Sequence, residues 1–78
     1  MICELVKQRI NELLFETGKT LYEVRTTALI PRSTINTIMQ GGNENIKLKT
    51  IMLICVGFNI SLEHFFASNI FDLSKIDF

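Results

Sequence analysis

Apolar residues recur along most of this chain at steps of three and four, which marks one-sided helices; strands would alternate at every second residue. Leu5, Val6, Ile10, Leu13 and Leu14 hold that step until Thr17-Gly18, where glycine suits a left-handed helix end, so the spacing predicts a first helix over about residues 3–17. A second starts at Thr20. Glu23 stands three residues on, the spacing at which two side chains satisfy each other's orphan backbone N–H groups. Leu21, Val24 and Ala28 give this helix an inward face. Leu29-Ile30-Pro31 breaks the period, and Pro31, whose missing N–H costs nothing in a first turn, opens a third helix running to about Gln40.

Gly41-Gly42-Asn43-Glu44-Asn45 reads as a loop, because glycine and asparagine tolerate positive φ and bond local backbone groups. A fourth helix follows over about Lys47–Phe58, with Leu48, Ile51, Ile54, Cys55 and Phe58 forming an inward face so broad that it predicts a nearly surrounded, central helix. Asn59 ends it, and Ser61 caps a short fifth helix that carries Leu62, Phe65 and Phe66 to the core. Residues 67–78 show no helical period and suit a strand, an arm on a partner subunit or a loosely packed tail. The expected fold is all-α: a compact five-helix domain over residues 1–66 with a short C-terminal extension over 67–78.

The third helix departs from an ordinary surface helix. Ile35, Ile38 and Met39 form its buried stripe, yet the other face carries Arg32, Ser33, Thr34, Asn36, Thr37 and Gln40 where Glu and Lys would serve a solvated surface equally well. Guanidinium, hydroxyl and amide groups are those that hydrogen-bond base edges and phosphate oxygens.

Composition narrows the alternatives. Seventy-eight residues make one small domain whose core is marginal unless its 47 % apolar content is used efficiently or a second copy covers part of it. The formal net charge is zero, but residues 1–49 hold seven Lys/Arg against five Asp/Glu, and residues 50–78 one against three, so the excess of basic residues lies at the end containing helices two and three. No run of about 18 apolar residues and no secretory signal is present, which predicts a cytoplasmic protein with no membrane partner. Cys3 and Cys55 lack the spacing and histidine partners of a zinc site and read as buried thiols. The lone His64 lacks a constellation for a triad or a metal, and Glu63 favours the positive end of helix five. With no phosphate-cradling glycine loop, no paired carboxylates in a cleft and too little chain to enclose a substrate, neither an enzyme, a cofactor, a metal nor a small-molecule substrate is expected.

Five segments, RINELL, TLYEV, PRSTINTIMQG, LKTI and FNISLEHFF, occur in the order and spacing of one family and cover about residues 9–66. On them the chain resembles the lambda-repressor-like, Cro-type helix-turn-helix domains, also called the xenobiotic-response-element family. The tail NIFDLSKIDF is similar to extensions on small bacterial members. The resemblance implies that helix three lies in the major groove of double-stranded DNA while helix two crosses the backbone. Carried over by position, Arg32, Ser33, Thr34, Asn36, Thr37 and Gln40 are base or base-adjacent contacts, with Arg32 suited to guanine and Asn36 to adenine. Lys19, Thr20 and Tyr22 near the start of helix two, and Asn43, Asn45, Lys47 and Lys49 beyond helix three, are the implied phosphate contacts.

Four positions depart from the family pattern. Arg25 stands where many members have a small alanine, Leu29 where they have the turn glycine, Leu14 replaces a basic residue and Leu21 a polar one that often touches the backbone. A leucine in a left-handed turn costs about 1 kcal/mol or more; otherwise the turn takes another path and tilts helix three. Arg25 either turns outward as a phosphate ligand or pairs with a carboxylate.

Two functions are expected from this. The first is a bacterial or phage-type transcriptional regulator, a repressor by family habit, that binds an inverted repeat as a homodimer through Phe66, Ile70, Phe71 and Phe78. The second is a protein-interaction or antitoxin-like module of the same fold with weak or no DNA binding, whose apolar C-terminal surface holds a protein partner.

Overall fold

A computed structural model describes residues 2–41 and 46–76, with side chains from residue 4 onward. Within them the chain forms five α-helices, α1 (Ile2–Thr17), α2 (Leu21–Thr27), α3 (Arg32–Met39), α4 (Leu48–Phe58) and α5 (Leu62–Phe66), then two 3-10 turns at Asn69–Phe71 and Leu73–Lys75. The all-α expectation holds, and each helix lies within a residue or so of its expected bounds.

The helix ends follow the local chemistry. Thr20 caps α2: its hydroxyl accepts the Glu23 N–H at 3.1 Å while the Glu23 carboxylate accepts the Thr20 N–H at 3.1 Å. Ser61 caps α5 through the His64 N–H at 3.0 Å. Gly18 closes α1 at φ 71°, its N–H reaching the Leu14 carbonyl.

The turn between α2 and α3 resolves the question posed by Leu29. That residue does take the left-handed conformation, at φ 56°, rather than sending the turn along another path. Its N–H bonds the Thr26 carbonyl at 3.3 Å and the Ile30 N–H bonds the Arg25 carbonyl at 2.9 Å, the two-bond ending that usually has glycine in this place. Ile30, 2 % exposed, anchors the turn in the core, while the Leu29 side chain stands 86 % exposed. Arg25 forms no ion pair among the described residues; its guanidinium lies 5.4 Å from the centre of the Tyr22 ring, a cation–π contact.

The core gathers one stripe from each helix: Val6, Ile10 and Leu13 of α1, Val24 of α2, Ile35 and Ile38 of α3, Ile51, Ile54 and Phe58 of α4, and Phe65 of α5. α2 packs chiefly on α4, and Gly57 permits it, because a Cβ at that position would collide with the Val24 backbone. Cys55 is buried as expected, and burial pushes its thiol above the usual range.

Of the inward face expected of α4, Ile51, Ile54, Cys55 and Phe58 are buried, whereas Leu48 needs correction: it is 60 % exposed, and Met52 and Val56 follow it outward at four-residue steps, so α4 is largely enclosed but leaves an apolar stripe on one flank.

After α5, residues 67–76 form no strand. Their 3-10 turns fold back on the domain: Ser68 donates to Glu12 at 3.0 Å, and the Phe71 ring lies 5.8 Å from Phe65 and 4.9 Å, edge-on, from Phe66. Asp72 accepts from the Ser74 N–H and hydroxyl, which holds its carboxyl below the ordinary range.

Candidate nucleic-acid interface

α3 separates its two faces cleanly. Ile35 and Ile38 are buried and Met39 half-buried, whereas Arg32, Ser33, Asn36 and Gln40 are exposed and Thr34 and Thr37 half-buried along the opposite side. Positions 32, 36 and 40 stack at four-residue steps, as do 33 and 37, so five of the six polar residues form two adjoining rows. Thr37 donates its hydroxyl to the Ser33 carbonyl at 2.8 Å and keeps its lone pairs free. Among the described residues, the side chains of Arg32, Ser33, Thr34, Asn36 and Gln40 make no hydrogen bond or ion pair. A polar face of this kind does nothing for the fold beyond staying wet.

Both helices that border this face begin without a cap. Pro31 before α3 and Lys47 before α4 make no side-chain capping bond, and neither first turn carries an acid. The N–H groups of Arg32 and Ser33, and of Leu48 and Lys49, are therefore donors without partners among the described residues. An open groove of about 300 Å3 joins the two sites, lined by Ser33, Thr34, Thr37 and Ile38 from α3 and by Ile46, Lys47 and Thr50 at the start of α4. Lys47 thus stands on the rim of the α3 face. Lys49 is exposed on the same first turn.

The start of α2 is different. Thr20 has its N–H and hydroxyl engaged by Glu23, and that carboxylate occupies the positive helix end where the sequence suggested a phosphate. Lys19 directs Nζ to the Phe58 carbonyl at 3.4 Å and so serves the end of α4. Tyr22 remains 67 % exposed beneath Arg25. Asn43 and Asn45 lie outside the described residues, as does Phe78 of the expected dimer set. Of the rest of that set, Phe66 is 42 % exposed, while Ile70 and Phe71 are half-buried, Phe71 against the protein's own core.

The residue that sequence reasoning passed over is Arg9. It is 3 % exposed on the inward side of α1, and its guanidinium donates Nε to the Phe65 carbonyl at 2.6 Å and Nη2 to the His64 carbonyl at 2.8 Å. Nη1 donates to Glu12 at 3.0 Å. It caps the last turn of α5 from across the fold, and His64 takes part through its backbone. The signal was present, since Arg9 falls three residues after Val6 and four before Leu13, in the apolar stripe itself.

No helix among the described residues is long and apolar enough to cross a membrane. Compared with known proteins, the chain finds no matching family model, curated protein or solved structure.

Proposed function

We propose that this protein binds double-stranded DNA sequence-specifically, as a small transcriptional regulator acting as a dimer, with α3 in the major groove and the start of α4 on the adjoining backbone. The observation that carries the reading is the α3 face: Arg32, Ser33, Thr34, Asn36 and Gln40 form no side-chain hydrogen bond or ion pair among the described residues, and the starts of α3 and α4 beside them carry neither cap nor acid. Arg32 suits a bidentate contact to guanine and Asn36 one to adenine, each contributing about 1–3 kcal/mol of discrimination. The open N–H groups at Leu48 and Lys49, with the Lys47 and Lys49 charges, suit phosphate oxygens and set the register of the domain.

A second reading, a protein-interaction or antitoxin-like module with weak or no DNA binding, draws on the zero net charge and on the Glu23 carboxylate at the start of α2. Salt dependence separates the two, because displacing Z counterions gives log K a slope of about −0.9Z against log salt, which an apolar protein contact does not. The direct test is selection from a randomised duplex library at low salt, repeated with Arg32→Ala and Asn36→Ala. Enrichment of an inverted repeat that either substitution relaxes supports the reading. No enrichment by the unaltered protein sinks it.

A further inference from the structure

The exposed apolar stripe of α4 has no function in the fold described above. Leu48, Met52 and Val56 are 60 %, 48 % and 57 % exposed, at successive four-residue steps on one flank of the helix. Ile51, one step around the helix from Leu48 and Met52, forms a wall of an open groove of about 400 Å3, together with Leu5 of α1 and Phe66, Phe71, Leu73 and Ile76 after it. Stripe and groove adjoin at Ile51. Phe66 and Leu73 add exposures of 42 % and 70 %.

We infer that this surface is where two copies of the chain associate, α4 against α4 across a two-fold axis that passes close to Met52. An isologous pair of this kind sets Leu48 of each copy beside Val56 of the other, and Met52 beside its own equivalent. The five side chains present on the order of 500 Å2 of apolar surface, the upper range of what monomers leave open, and well over half of the roughly 800 Å2 per partner buried in a stable complex. The formal net charge of zero leaves no overall repulsion between identical copies. The surface argument does not rest on the proposed DNA reading.

Sedimentation equilibrium of the full chain without DNA, from micromolar to millimolar concentration, tests the inference. The unaltered protein forms a dimer, and Met52→Asp or Val56→Lys weakens it at least about 100-fold, as loss of a central apolar anchor does. Phe15→Asp, at a side chain 91 % exposed on α1 and away from the groove, leaves the dimer intact. Circular dichroism checks that each variant keeps its helices. A protein that stays monomeric throughout, α4 variants that dimerise as tightly as the unaltered chain, or equal loss in Phe15→Asp would each overturn the inference. Because DNA is absent, none of these outcomes depends on whether α3 reads a duplex.

Discussion

The starts of α2 and α5 are closed by the protein's own side chains, whereas the starts of α3 and α4 are left open. Thr20 and Glu23 close one, Ser61 the other, and the far end of α5 is held as well, by Arg9 on its last carbonyls. At the open ends there is neither cap nor acid, and the side chains of Arg32, Ser33 and Thr34 that follow Pro31 make no bonds among the described residues. A cap contributes about 1 kcal/mol, so leaving two helices uncapped on one side of a small domain gives up about 2 kcal/mol, a sizeable part of a margin of about 5–15 kcal/mol. A partner that supplies anionic oxygens and base edges would satisfy those groups on binding.

If closed ends belong to folding and open ends to binding, substitutions should sort accordingly. The largest effect is expected at Arg9. Arg9→Met leaves the buried Phe65 carbonyl at the end of α5 without a donor and the His64 carbonyl with only the Ala67 N–H, which together with the lost charged hydrogen bonds costs about 3 kcal/mol, read from urea denaturation. Next come Arg32→Ala and Asn36→Ala, which weaken binding to a selected duplex by about 2 kcal/mol each, at the middle of the range for a bidentate base contact. Their denaturation midpoints stay within about 0.5 kcal/mol of the unaltered protein, as at other exposed sites. Equal losses of stability would break the comparison.

Thr20→Ala removes a closed end and costs about 1 kcal/mol of stability, with duplex affinity unchanged once the protein is folded. The smallest effect has the opposite sign. Leu29→Gly relieves a left-handed leucine that costs about 1–2 kcal/mol, and glycine returns roughly 0.5–1 kcal/mol of that through unfolded-state entropy. The variant is more stable by about 0.5–1 kcal/mol, measured as a rise in melting temperature. A fall would mean that the exposed leucine makes a contact the turn needs.

The positions that could be read from sequence share a physical reason. Helix bounds, the Thr20–Glu23 pair, the Ser61 cap and the left-handed Gly18 depend on residues within four of one another, and local chemistry is written locally. The polar face of α3 was legible for the same reason, because Ile35 and Ile38 fix which side turns inward. What escaped depends on distant parts of the chain. Arg9 lies in an apolar stripe as a lysine-like stem would on a wet surface, and only the carbonyls of His64 and Phe65, some 55 residues away, explain its burial. Leu48 falls in step with Ile51 and Cys55, but no neighbouring helix covers its side of α4. Tail residues 68–76 have no period to read, since short 3-10 turns pinned by Ser68 and Asp72 impose none. At the start of α2 the capping pair is legible in the sequence, and the same Glu23 carboxylate stands at the helix end where the resemblance implies a phosphate.

The contrast between closed and open helix starts is tested most directly by amide chemical shifts recorded while a short mixed-sequence duplex is added at low salt. The account predicts that shifts concentrate at Arg32–Gln40 and Leu48–Thr50, largest at the unpartnered amides of Arg32, Ser33, Leu48 and Lys49, with Leu62–Phe66 unmoved. Shifts centred on α5, or none anywhere at duplex concentrations in the millimolar range, would contradict it.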